Sequence, residues 1–320
     1  AVKGLGGFHL AVNATSSSAV EELRRRKRRF EKPFAVMVRD TRQAEEFCIV
    51  SEQDRETLES PERPIVILRA RQGSRLPEAI APRNPYIGVF LPYTPIQHLL
   101  FSRGNFAALV MTSANLSEEP LCIDNDEALE RLRGITDFFL VHNRDILLRC
   151  DDSVVRAAAG HTQMLRRSRG FVPVPLILEH GVSPVLAVGG ELKNSVCLTK
   201  GKHAFLGQHV GDLENLVAYN FFEESIAHLQ NILEIKPAVI AHDLHPGYLS
   251  TQWASRQKSI PTVAVQHHHA HAASCMTENH LSAPVIGVVL DGTGYGSDGA
   301  VWGGEVMIAD LGGFRRVAHR

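Results

Sequence analysis

The chain has 320 residues, is 44% hydrophobic and 22% charged, and carries a formal net charge of −1; this describes a globular protein of about two domains and excludes a disordered or collagen-like chain. So balanced a charge sets up no global field toward nucleic acid or an acidic membrane. No apolar run reaches membrane-span length, no secretory signal opens the chain, and five scattered cysteines without a C-x-x-C pair read as a reduced, cytoplasmic pattern rather than a disulfide frame.

The opening "AVKGLGGFHLAV" reads as mid-domain strand and turn with no initiator Met, so a piece of a longer protein is expected. "SSSAVEELRRRKRRF" predicts a helix with a capping box from Ser18 to Glu21. "PIVIL", "YIGVFL" and "ALVMTSA" predict short buried strands. "DNDEALERLRG" predicts a second capped helix, with Ala128, Leu129, Leu132 and Ile135 on one face. Strands and helices mix irregularly, so this first domain, residues 1–172, reads as α+β around a twisted sheet. The segment 173–184 carries three prolines and no period, and reads as a linker.

The second domain, 185–320, opens with "VLAVGGELKNSVCLTKGKHAFL", read as an antiparallel meander with turns at the glycine pair and at "KGK". A long amphipathic helix follows, with Phe222, Ile226, Leu229 and Leu233 at helical spacing. Strands then alternate with helices through "AVIAHDLHP", "STQWASRQ", "TVAVQ", the histidine segment and "PVIGVVLDGTGYG". A meander followed by β-α-β units is the plan of one lobe of an actin/Hsp70/sugar-kinase-like ATPase fold, and a truncated second lobe is expected to begin near the chain's end.

Four histidines crowd into "QHHHAH". If a helix starts near His267, His267 and His271 stand at i and i+4 on one face and can share a metal ion, while His268 and His269 point elsewhere. The plain alternative is a solvated helix start. Asp291, at a strand end before "GTGYGSDG", is the candidate third ligand; otherwise it makes an ordinary Asp-Gly turn. Gly292 and Gly294 in that run would let backbone N–H groups approach an anion, or merely turn the chain. His242 and His245 at another strand end are candidates to support the ligands, or are simply exposed. "RRRKRRFEKP", Arg24 to Pro33, suits nucleic acid, a phosphorylated small molecule or a solvated helix end. "MTSANLSEEP" sets Ser113, Asn115 and Ser117 after a buried strand, where hydroxyls and amides can hold a nucleotide or form an ordinary loop.

Taken together, "KGLGGFHLA", "RKRRFEKPFAVMV", "TSANLSEEP" and "DDSVVR…RRSRGFVP" resemble a YrdC-type acyl-adenylate-forming domain. "GGELKNSVCL", "HVGDLEN", "HDLHPGYLSTQWA", "VQHHHAHAAS" and "LDGTGYGSDGAVWGGE" resemble a Kae/TsaD-type domain, in the order found in the HypF family of [NiFe]-hydrogenase maturation. The resemblance implies a fold of both α/β and α+β character: a YrdC-like twisted mixed sheet with helices, its first strand trimmed, then one ATPase lobe. The family's acylphosphatase and zinc-finger modules and the rest of its second lobe have no counterpart in these residues.

The resemblance implies an activity in two steps: carbamoyl phosphate-derived carbamate and ATP give carbamoyl-adenylate, and the carbamoyl group passes to the C-terminal cysteine of HypE. It implies ATP, Mg2+ and a divalent metal (Zn2+ or Fe2+) as cofactors. Lys27, Arg28 and Arg169 are implied as catalytic; Lys32, Ser113, Asn115, Ser153, Gly292 and Gly294 as nucleotide-binding; His267, His271 and Asp291 as metal ligands. No membrane partner is expected, and double-stranded RNA binding is expected only without specificity. The alternatives are a tRNA threonylcarbamoyl-adenylate enzyme and a non-catalytic HypE- or RNA-binding fragment.

Overall fold

A computed structural model describes residues 1–115 and 120–320; Ser117 lies outside the described residues. The chain divides into two compact units, Ala1–Phe171 and Val172–Arg320.

The strands of the first unit are β1 (Val2–Lys3), β2 (Phe8–Asn13), β3 (Ala35–Met37), β4 (Cys48–Ile49), β5 (Ile65–Ala70), β6 (Tyr86–Phe90), β7 (Leu109–Ser113), β8 (Val154–Ala158) and β9 (His161–Arg166). Its helices are α1 (Ser17–Lys27), α2 (Thr41–Phe47), α3 (Glu52–Glu59), α4 (Pro95–Arg103) and α5 (Asn125–Arg131). Among the described residues the strands form one sheet in the order β1-β2-β7-β3-β6-β5-β8-β9, with β4 on β5. It is mixed: β3 runs parallel to β6 and β5 to β8, and the other pairs are antiparallel.

The central strands bury both faces. Val36, Val89 and Val110 enter one core with Phe8, Val20, Leu23 and Phe47, while their chain neighbours Met37, Phe90, Leu109 and Met111 enter a second with Phe101. That is why these strands read as continuous apolar runs rather than as alternation.

Two local expectations are corrected here. The α1 cap is Ser16, whose Oγ accepts from Ala19 N, while Glu21 accepts from Ser17 Oγ; no box joins Ser18 to Glu21. Ala128 on α5 is buried, as are Leu132 and Ile135 just beyond its end, but Leu129 is 40% exposed. The helix is only seven residues long, and it turns Leu129 off the core face.

The second unit holds β10 (Leu176–Val182), β11 (Val185–Ala187), β12 (Cys197–Leu206), β13 (Val239–Asp243) and β14 (Thr262–Val265), in the order β10-β12-β11-β13-β14. Its helices are α6 (Leu216–Leu233), α7 (Leu249–Arg256) and α8 (His267–Glu278). A separate three-stranded sheet follows: β15 (Val285–Tyr295), β16 (Val301–Ala309) and β17 (Phe314–His319). Phe222, Ile226 and Leu229 of α6 are buried against Leu186, Leu198 and Ile240, as their spacing predicts, with Leu233 packed at the margin.

Three expectations change in this unit. The segment read as a linker carries β10, which pairs antiparallel with β12; prolines at its flanks hid the strand. "KGK" is no turn but the middle of β12, where Gly201 adopts φ +58° beside a register shift. "PVIGVVLDGTGYG" does not extend the parallel set β11-β13-β14; it pairs antiparallel with β16, and its glycines lie within β15 around a bulge. No described helix is long and apolar enough to cross a membrane.

Candidate functional site

The histidine segment forms the first turn of α8. Gln266 caps it, accepting from His269 N, so the helix starts at His267. His267 and His271 therefore share a face, with ring centroids 4.9 Å apart. Asp291 on β15 reaches the same place: its Oδ2 lies 2.9 Å from His267 Nε2 and 3.9 Å from His271 Nε2. One donor atom from each of the three residues lies within 4.8 Å of the others.

The protonation pattern is informative. His267 Nδ1 sits 2.6 Å from Asp243 Oδ2, so in the neutral imidazole the single proton lies there and Nε2 presents a lone pair. In that neutral state the lone pair faces Asp291 Oδ2 at 2.9 Å, a buried atom with no other donor; only a protonated ring or a cation satisfies it. Converging lone pairs repel unless a cation lies between them, and an imidazole, imidazole and carboxylate set suits a divalent first-row metal. With no cation, the hydrogen bond to Asp243, opposed by burial and reinforced by the charge and hydrogen bond of Asp291, holds His267 above the ordinary histidine range. Burial and the neighbouring His267 hold His271 below it.

Asp243 is the residue that sequence reasoning missed. It ends β13 opposite Val265 of β14, which sets it beside the start of α8. Its Oδ1 accepts from His245 N, and its backbone carbonyl accepts from Thr251 Oγ1. The signal was present in "HDLHP", where the carboxylate stands between two histidines. His242 instead bonds the Asp243 carbonyl, and His245 stacks on Tyr248.

His268 and His269 do point elsewhere. His268 is fully buried; its Nε2 donates to Gly303 O and its Nδ1 accepts from Gln266 Nε2. A Cβ on Gly294 would lie 2.4 Å from the His268 ring, so Gly294 is needed for that close approach. Gly292 N bonds Asp291 Oδ1. Both glycines lie in β15 beside its register shift.

In the first unit, a cleft of about 270 Å³ crosses one face of the sheet. Its lining draws His9 from β2, Ala35 from β3, Ile67 from β5, Gly88 from β6 and Ser113 from β7, with Arg29, Arg166, Asp151 and Asp152 around it. The basic run is largely consumed in building this wall. Arg24 is buried over the Phe34 ring and donates to the carbonyls of Ala79, Arg29 and Ile80. Lys27 is also buried, and its ammonium donates to Ser113 O (2.8 Å), Asn115 O (2.7 Å) and Asn115 Oδ1 (3.0 Å). Burial, with a smaller push from Arg29, lowers its pKa to about 7.

Arg29, not Arg28, lines the cleft. Arg28 ends α1 in the left-handed region at φ 53° and is exposed. Arg29 donates to Pro33 O and Thr112 Oγ1, and burial together with Arg24 and Arg166 lowers its pKa to about 10. Cations crowded this way are relieved by an anion. The Lys32 side chain is exposed and does not line the cleft. Arg169 and Ser153 are framework rather than lining. Arg169 Nε bonds Asp152 Oδ1 at 2.8 Å, its other nitrogens go to the Glu62 and Arg63 carbonyls, and it stacks over Tyr93. Ser153 Oγ bridges Arg169 O and Ser168 N. The structure thus gathers Lys27, Ser113 and Asn115 in one place and His267, His271 and Asp291 in another.

The chain resembles known proteins along its whole length. The Sua5/YciO/YrdC family model, described as "Telomere recombination", matches residues 1–168. The models for the HypF Kae1-like domain and for the second subdomain of the carbamoyltransferase Kae1-like domain match 180–278 and 287–320. The chain is 48% identical to carbamoyltransferase HypF2 of Cupriavidus necator over its whole length, and 46% identical to carbamoyltransferase HypF of Synechocystis; it spans 42% of each. It superposes on 42% of the crystal structure of full-length HypF in the phosphate- and nucleotide-bound form, with a TM-score of 0.95 and 51% identity over 99% of this chain. The chain therefore belongs to the HypF carbamoyltransferase family, as a YrdC-like unit followed by HypF Kae1-like subdomains.

Proposed function

We propose that the chain carries two working parts of an ATP-dependent carbamoyltransferase: a carbamoyl-adenylate-forming cleft and a metal-supported transfer site. The observation that carries the reading is the convergence of His267 Nε2, His271 Nε2 and Asp291 Oδ2 on one point of the Kae1-like unit.

In the cleft, Arg29 and Arg166 balance phosphate charge, and Lys27 holds the Ser113–Asn115 segment in shape. A carbamate oxygen attacks the α-phosphorus of ATP, with Mg2+ as companion to the phosphates. The new O–P bond replaces the bond to the bridging oxygen, and pyrophosphate leaves with that electron pair. No proton has to move.

In the second unit His267, His271 and Asp291 would hold the cation. Zn2+ or Fe2+ there would supply Lewis-acid polarisation of the carbamoyl carbonyl. Asp243 keeps the His267 proton on Nδ1, away from the cation. The acceptor we propose is the thiolate of a C-terminal cysteine on HypE: sulfur bonds the carbamoyl carbon and AMP departs with the former anhydride oxygen.

The test is pyrophosphate release by the 320-residue chain from ATP with carbamoyl phosphate or carbamate. Release that depends on carbamate supports the reading. Release that depends on threonine and bicarbonate would favour the threonylcarbamoyl-adenylate alternative, and ATP binding with no release under either condition would favour the non-catalytic fragment.

A further inference from the structure

The cleft contains a carboxylate that the adenylation chemistry above does not use. Asp152 lines it beside Arg29 and Arg166. Its side chain is 9% exposed, and its two oxygens are held separately: Oδ2 lies 3.3 Å from His9 Nε2, and Oδ1 accepts from Arg169 Nε at 2.8 Å. Arg169 is fixed in turn by the Glu62 and Arg63 carbonyls and by the Tyr93 ring. Burial alone would raise the Asp152 carboxyl; hydrogen bonds and charge from His9 and Arg169 overcome it and keep the group an anion. His9 is placed by the pairing of β2 with β7, directly opposite Ser113.

A fixed anion in a cleft built for phosphate is unfavourable unless the ligand brings a hydrogen-bond donor to it. Two carboxylate oxygens offer about four lone-pair sites, so His9, Arg169 and the Tyr93 hydroxyl together still leave one acceptor position open. A phosphate ester offers no N–H to fill it. A carbamate does, because its amino group carries two N–H donors beside the carboxylate oxygen that attacks phosphorus.

We propose that Asp152, positioned by His9, accepts an N–H from the acyl donor's amino group and so selects carbamate over small carboxylates that lack one. The inference rests on the adenylation reading and deepens it by naming what the cleft recognises. Recognition makes and breaks no covalent bond; the adenylation step stays balanced as written above. A site built to bond a substrate N–H rejects analogues without it, because its own buried acceptor is then left unpaired.

The experiment measures pyrophosphate release by the 320-residue chain with carbamate, bicarbonate or acetate as acyl donor, in wild type, His9→Ala, His9→Gln and Asp152→Asn. Wild type should prefer carbamate to acetate by roughly tenfold or more in kcat/KM. In Asp152→Asn and His9→Ala the carbamate KM should rise at least about tenfold, and ATP affinity should move much less. His9→Gln keeps an N–H for Asp152 and should recover much of the preference. The idea is overturned if the carbamate-to-acetate ratio is the same in wild type and all variants. It is equally overturned if each loss merely follows a lower melting temperature and ATP affinity, which is what a purely structural ion pair would give. Absence of carbamate-dependent release in wild type is a different result, and it removes the adenylation reading itself.

Discussion

Replacing Asp243 by Asn removes a charge and turns one acceptor oxygen into an N–H donor, with almost no change in volume. The carboxylate now accepts from His267 Nδ1 at 2.6 Å and from His245 N at 2.8 Å. Asn can keep the second bond through its own oxygen. Its amide nitrogen then faces Nδ1, and the imidazole proton is driven to Nε2, the atom that converges with Asp291 and His271. A protonated Nε2 cannot bind a cation, so the site loses a ligand or must pay to shift the tautomer back. Loss of such a supporting partner typically weakens metal binding about 10–100-fold, or roughly 1.4–2.7 kcal/mol. Calorimetric titration of the chain with Zn2+, and absorbance titration with Co2+, read this directly. A Kd within about twofold of wild type, with the circular dichroism unchanged, would refute the tautomer argument.

Other consequences follow from the same contacts. His268→Ala should lower the stability of the second unit by about 2–4 kcal/mol in denaturant melts, because a buried ring with two hydrogen bonds is removed; an unchanged midpoint would contradict that role. Its damage is thus to folding, whereas His271→Ala should lose metal affinity with little change in melting. Arg29→Ala should weaken ATP binding by about tenfold or more, as charge-assisted contacts are lost; Arg28→Ala should change it little, and equal losses in isothermal titration would put Arg28 back in the site. Lys27, lowered to about 7 by burial, should make the first unit more stable as pH rises from 7 toward 10. In that window the unfolded lysine still binds its proton while the folded one has released it, with a limiting slope of about 1.4 kcal/mol per pH unit. The stability difference between wild type and Lys27→Met should carry that slope, and a flat difference would contradict it.

What the sequence disclosed depended on how local the signal was. The His267–His271 spacing was legible because an i, i+4 pair needs only the helix start, and Gln266 supplies it. Asp291 was legible as a strand-borne carboxylate. Asp243 was not, because only the parallel pairing of β13 with β14 brings it to His267. The choice between Arg28 and Arg29 was equally hidden: it turns on α1 ending in a left-handed residue, which rotates the next side chain into the cleft. The partners that hold Arg169, the Glu62 and Arg63 carbonyls and Asp152, were hidden too, because only the fold brings them to it. Strand β10 was concealed by flanking prolines, and the glycine run in β15 by composition that usually marks a loop.

The division of labour between the two units is most directly tested by His267→Ala in the intact polypeptide, supplied with ATP, carbamoyl phosphate and HypE. Mass spectrometry would follow carbamoyl-adenylate and the carbamoylated C-terminal cysteine together. The account predicts that the variant still forms carbamoyl-adenylate and fails to carbamoylate the cysteine. Transfer at the wild-type rate, or loss of adenylate formation with the first unit still folded, would contradict it.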